Sequence, residues 1–110
     1  MDATTTPGSA TQVATVKLLI GGKFVESKTT QWRNVVNPAT QEVLARVPFA
    51  TQDEVDAAVA SAKEAFKTWR KTAIGARARI FLKLQHLIRE NMGELAAILT
   101  AEQGKTLPDA

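Results

Sequence analysis

Apolar positions along the chain change period once, near Thr51. Before it, short apolar runs are separated by turns bearing glycine or proline; after it, apolar residues recur at steps of three and four. The run Lys17-Leu18-Leu19-Ile20 is followed by Gly21-Gly22 and then Lys23-Phe24-Val25-Glu26. Two glycines in that setting predict a hairpin, because a type I′ turn needs positive φ at both central residues. A two-residue loop also sets the register: Ile20 faces Lys23, Leu19 faces Phe24, Leu18 faces Val25, and Lys17 faces Glu26 with opposite charge. A second extended pair is expected from Arg33 to Asn37 and from Val43 to Val47, joined through Asn37-Pro38-Ala39-Thr40. Pro38 suits the first central position of a turn that Asn37 opens. Pro48 has no N–H to give a ladder, so the second strand ends there or lies at an edge.

Thr51-Gln52-Asp53-Glu54 is a capping-box sequence. Val55, Val59, Ala62, Phe66 and Trp69 then form one stripe of an amphipathic helix of about five turns. Thr72 is the expected cap of a second helix, whose Ile80, Phe81, Leu84, Leu87 and Ile88 cover a wide arc and call for cover on more than one side. Asn91 with Glu94 is the expected cap of a third helix carrying Leu95, Ile98 and Leu99, which Gly104 ends in the left-handed conformation, with Pro108 soon after. The expected fold class is therefore α+β: two hairpin-like units over residues 17–26 and 33–48, then three helices near 52–69, 73–91 and 94–103. Residues 1–16, rich in Thr, Ala, Ser and Gly, read as a disordered tail, and 17–110 as one incomplete domain with no parallel sheet.

Composition narrows the chemistry more than it names it. The 110 residues hold no cysteine and one histidine, which excludes disulfides, thiolate or histidine-cluster metal sites and a cysteine nucleophile within this chain. No apolar run reaches the length of a membrane helix. Residues 1–14 lack both the apolar stretch of a secretory signal and the basic residues of a transit peptide, so a cytoplasmic bacterial location is expected. The net charge of +3 permits an acidic partner without demanding one.

Each candidate motif has a plain structural explanation. Gly104-Lys105-Thr106 looks like the end of a phosphate-binding loop, but that motif needs a glycine where Leu99 stands and follows a strand rather than a helix. Between Ala65 and Arg89 there are seven basic residues, Lys67, Arg70, Lys71, Arg77, Arg79, Lys83 and Arg89, and no acidic one. A polyanion site is one reading; a solvated helix face with cations at a helix C-terminus is the favoured one, since aromatic stacking residues are not interleaved on that face. His86, beside Leu84, Leu87 and Ile88, has no second ligand or nucleophile and reads as structural. Trp69 closes an apolar stripe and reads as core, while Trp32 sits in a polar context that favours neither role. No catalytic, cofactor-binding or metal-binding residue is assigned.

Five short stretches resemble the aldehyde dehydrogenase superfamily, in family order from Leu18 to Ala110. They are Ile20-Gly21-Gly22-Lys23-Phe24-Val25, Asn37-Pro38-Ala39-Thr40-Gln41-Glu42-Val43, Val47-Pro48, Val55-Asp56-Ala57-Ala58-Val59 with Ala65-Phe66-Lys67-Thr68-Trp69, and Glu102-Gln103-Gly104-Lys105. Residues 78–85 and 99–110 resemble the CoA-acylating branch that oxidises methylmalonate semialdehyde. The resemblance implies that the chain is the N-terminal portion of an α/β NAD-binding domain in a longer enzyme. It implies a cysteine thiolate attacking the aldehyde, hydride transfer to NAD, and capture of the acyl group by CoA with loss of carbon dioxide. The nucleophile, general-base glutamate, oxyanion asparagine and cofactor loop would all lie beyond Ala110, so the chain alone would bind neither NAD nor CoA and would be inactive. Its expected partners are the remainder of the same polypeptide and, for the parent, further copies in a dimer or tetramer, with no membrane and no nucleic acid. The alternative class is a free-standing basic helical module that binds nucleic acid or a protein.

Overall fold

The computed structural model describes residues 13–110, and its elements follow the period change. β2 (Leu18–Ile20) and β3 (Lys23–Val25) form a two-stranded antiparallel ladder pairing Leu18 with Val25, Leu19 with Phe24 and Ile20 with Lys23, as the turn length demands. Gly21 and Gly22 take φ of 61° and 76°, the conformation that only glycine enters without cost. β4 (Trp32–Val36) and β5 (Val43–Pro48) pair antiparallel, with a register shift between Val35 and Val36. The connecting turn is held by Asn37: its Oδ1 accepts from the Ala39 and Thr40 amides, and its N–H donates to the Glu42 carbonyl at 2.9 Å. Pro48 is the last residue of β5, where its missing donor costs nothing.

The strand edges correct two expectations. Ala14–Thr15 form a short strand, β1, parallel to β5, giving the sheet order β1-β5-β4, and the Val16 amide donates to the Arg46 carbonyl at 2.9 Å. Residues 14–16 were expected in the disordered tail, and no parallel pairing was expected. The backbone of β5 has a free edge, and a segment needs no apolar side chains to satisfy those donors and acceptors. The rest of the expected tail, residues 1–12, lies outside the described residues.

Three helices follow: α1 (Gln52–Trp69), α2 (Ile74–Glu90) and α3 (Met92–Gln103), then a single 3₁₀ turn at Leu107–Asp109. α1 has the expected bounds, and both halves of the capping box form: the Glu54 amide donates to Thr51 Oγ1, and the Thr51 amide to Glu54 Oε2. The expected caps of the other two helices do not form. Thr72 Oγ1 donates backwards to the Thr68 carbonyl, leaving Ala73 as an N-cap without a side-chain bond. Asn91 sits at the N-cap of α3, but its Nδ2 donates to the Leu87 carbonyl at 2.8 Å and so finishes α2 instead. Gly104 ends α3 left-handed at φ 74°, and a Cβ there would stand 3.2 Å from Pro38 Cγ.

None of the described residues is buried. The Cα radius of gyration is 19.8 Å, against roughly 13 Å for a compact chain of this length. The elements are well formed, but they do not enclose a core.

Candidate functional site

Two features stand out among the described residues: a polar cluster around Glu54, and an uncovered apolar surface along α2 and α3. Glu54 lies at the third residue of α1, where the positive end of the helix favours a carboxylate. Besides the capping bond it accepts from Ser27 Oγ at 2.9 Å and 2.7 Å on its two oxygens, and from the Lys28 amide at 2.8 Å. Ser27 Oγ in turn accepts from the Thr29 amide at 3.1 Å. The Ser27 hydroxyl and then the Lys28 amide favour the charged form and hold the Glu54 carboxyl below its ordinary pKa; desolvation opposes them, and lesser effects of Thr51 add to the lowering. The capping role was legible in the sequence; the link to Ser27 was not, because nothing local marks two residues so far apart. Beside the cluster a cleft of about 480 Å³, lined by Ile20, Val25, Lys28, Asp53 and Ala57 among others, separates the β2–β3 hairpin from α1.

The apolar surface has a different character. Ile80, Phe81, Leu84, Leu87 and Ile88 of α2 are all exposed, Phe81 to 62%. So are Met92, Leu95 and Ile98 of α3, and Ile74, which opens α2, is 78% exposed. At 100° per residue the α2 positions Leu87, Ile80, Leu84, Ile88 and Phe81 share one arc, while Arg79, His86 and Arg89 lie on the opposite side and Lys83 at its edge. On α3, Met92, Leu95, Ala96, Ala97, Ile98, Leu99 and Ala101 leave no broad polar face. A helix apolar all round is one that is surrounded in its folded setting.

The residues singled out from the sequence do not converge. His86 Nε2 lies 3.2 Å from Glu90 Oε1 in an exposed pair, so it neither packs into a core nor joins a ligand set. No group of three or more His, Asp or Glu that could hold a metal occurs among the described residues. Trp32, ambiguous in sequence, donates through Nε1 to the Thr29 carbonyl, and Arg46 stacks over its ring at 5.5 Å. The register explains the stack: Asn34 pairs with Arg46, so Trp32 sits diagonally from it on the same face. Trp69 is half-exposed, with Arg77 over it at 6.0 Å. The basic stretch is divided in the same way: Lys67 pairs with Glu64, Arg70 lies over Phe66, and Arg79, Lys83 and Arg89 project from α2. Gly104-Lys105-Thr106 ends a helix rather than opening one. No helix among the described residues is long and apolar enough to cross a membrane.

The glycines among the described residues do not form a dinucleotide cradle. Gly21 and Gly22 close a hairpin, Gly75 and Gly93 occur singly in the first turns of α2 and α3, and Gly104 is a C-cap.

Residues 24–110 match the family model described as the aldehyde dehydrogenase family. The human mitochondrial methylmalonate-semialdehyde/malonate-semialdehyde dehydrogenase [acylating] is 54% identical over 101 residues, which is 92% of this chain and 19% of that protein. A structure from Sinorhizobium meliloti, bearing the name methylmalonate-semialdehyde dehydrogenase and solved with NAD, matches with a TM-score of 0.85 and 39% identity, over 90% of this chain and 20% of its own. Lactaldehyde dehydrogenase from Escherichia coli matches with a TM-score of 0.83 and 30% identity, over 87% of this chain and 20% of its own. The chain thus spans about one fifth of the length of the relatives it matches.

Proposed function

The chain belongs to the aldehyde dehydrogenase family, and we propose that it is the N-terminal segment of an NAD-dependent, CoA-acylating enzyme that oxidises methylmalonate semialdehyde and malonate semialdehyde. The observation that carries this reading is the identity above one half, over nearly the whole chain, to a protein named for that reaction. Residues 17–110 form the outer part of the cofactor domain and supply no catalytic group. NAD and CoA are held by the parent polypeptide, whose remainder covers the apolar arc of α2 and the whole of α3. The parent assembles as a homo-oligomer, dimer or tetramer. Its compartment is the bacterial cytoplasm; the human relative is mitochondrial by name, and fractionation of the source cell distinguishes the two.

Two measurements test the reading. The purified chain, mixed with NAD, CoA and methylmalonate semialdehyde, produces no NADH above a blank; clear turnover would overturn the division of roles. A full-length acylating relative whose N-terminal segment is replaced by residues 13–110 keeps NAD-dependent acyl-CoA formation. A folded, oligomeric chimera without that activity would refute the assignment to this branch.

A further inference from the structure

The only side-chain hydrogen bonds among the described residues that join parts of the chain distant in sequence are those between Glu54 and the Ser27–Lys28 segment. The others connect residues no more than four apart, for example Gln52 with Asp56 and Asn91 with Leu87. With no buried residue to fix the β2–β3 hairpin in place, its position over α1 depends on this one polar tie and on light apolar contact. The contact runs along a groove of about 230 Å³, where Leu18 and Ile20 face Val55, Ala58 and Val59. A Cβ on Gly21 would lie 3.2 Å from Ser61 Oγ, so the hairpin tip rests directly on the helix.

We propose that Glu54 is an acid-sensitive latch: its carboxylate holds the Ser27–Lys28 segment against the N-terminus of α1, and its protonation frees the hairpin from the helix. This inference does not depend on the enzyme assignment. A carboxylate accepts from all three partners at once, the Ser27 hydroxyl and the Lys28 and Thr51 amides. Protonation places a hydrogen on one carboxyl oxygen and weakens it as an acceptor; the Ser27 hydroxyl can turn to accept from it, but the Lys28 and Thr51 amides can only donate. The other charged groups around the latch are Glu26 and Lys28 on the hairpin side and Asp53 on α1, which line the same cleft, with Lys17 across the adjoining cleft near Ser27. Two acids and two bases largely offset one another, so the hydrogen bonds dominate. Because the carboxyl is held below its ordinary pKa, the latch is fully closed above the unfolded value of about 4.3, and it opens as the pH falls through the lower folded value.

Amide proton shifts of residues 13–110 within the full-length chimera, with the Lys and Thr amides selectively labelled, followed by NMR as the pH is lowered from 7, test this. The Lys28 and Thr51 amides should move upfield together with one midpoint below that of an unperturbed glutamate. Contacts between Gly21 and Ser61 should fade over the same range. In Ser27→Ala, which keeps the Lys28 and Thr51 donors, the shared midpoint should rise towards the ordinary value. In Glu54→Gln the step should vanish from both amides. The proposal is overturned if the two amides titrate separately or not at all, if Glu54→Gln retains the step, or if the Gly21–Ser61 contact persists unchanged below the midpoint. A chain in which neither amide shows hydrogen bonding at pH 7 overturns it equally.

Discussion

Residues 14–69 and residues 74–103 are built on opposite terms. In the first region, position is specified by directional polar bonds: the Asn37 turn, the reciprocal Thr51–Glu54 cap, and the reach of Glu54 to Ser27 and Lys28. In the second, α2 and α3 have no side-chain bond at their N-caps and no long-range polar partner among the described residues, only apolar side chains facing solvent. The first region carries its own geometric instructions. The second carries a demand for surface that these residues do not supply. Hydrogen bonds specify arrangement at a net gain of about 1 kcal/mol each, whereas burial of one leucine-sized side chain is worth roughly 1.5 to 3 kcal/mol. The stabilising free energy missing from the second region is therefore larger than anything the first region provides.

The largest expected effect follows from that imbalance. At micromolar concentration the isolated chain should scatter light beyond a monomer and bind a dye that reports exposed apolar surface. A monodisperse monomer with a sharp melt and no dye binding would erase the contrast between the regions. Next in size is a difference between contexts. Phe81→Ala should change the stability of the isolated chain by no more than about 0.5 kcal/mol, because most of the residue is exposed. The same substitution in the full-length chimera should cost about 3 to 5 kcal/mol. Equal effects measured by denaturant melts in the two contexts would show that α2 is not buried in the parent.

A smaller comparison sets one cap against the other. Thr51→Ala should cost about 1 kcal/mol and raise hydrogen exchange in the first turn of α1, since it removes the hydroxyl that accepts from the Glu54 amide. Asn91→Ala should leave the first turn of α3 as it was, because the Asn91 amide serves Leu87 instead. Equal loosening of both helix starts would contradict the observed bonding. Smallest of all, His86→Gln should move the melting midpoint by less than the error of the measurement, since its pair with Glu90 is exposed.

The same division decides what the sequence made legible. Gly21-Gly22 and the Thr51–Glu54 spacing are local codes with one favoured geometry each, and the hairpin register and the bounds of α1 followed from them. Thr72 and Asn91 carry side chains that bond forwards as caps or backwards to the preceding helix, and in both cases the backward bond forms. The choice depends on the path of the chain between helices, which periodicity does not encode. β1 left no local trace because its ladder is made by backbone against the edge of β5. The wide arc of α2 was readable as a need for cover. That no described residue reaches burial was not, since burial depends on every element at once.

The meeting of Gly104 with Pro38 has a consequence for sequence tolerance. Two independent demands fall on position 104: a left-handed backbone, and a gap to the pyrrolidine ring too narrow for an ordinary methyl contact. Asparagine, the usual substitute at helix C-caps, meets the first demand and meets the second only if the Pro38 ring gives by a few tenths of an ångström. In a saturation library selected for folded chimera, glycine should thus be enriched over asparagine at position 104. Shortening the opposing ring by Pro38→Ala should reduce that enrichment, making the tolerance of one site conditional on a residue far away in the chain.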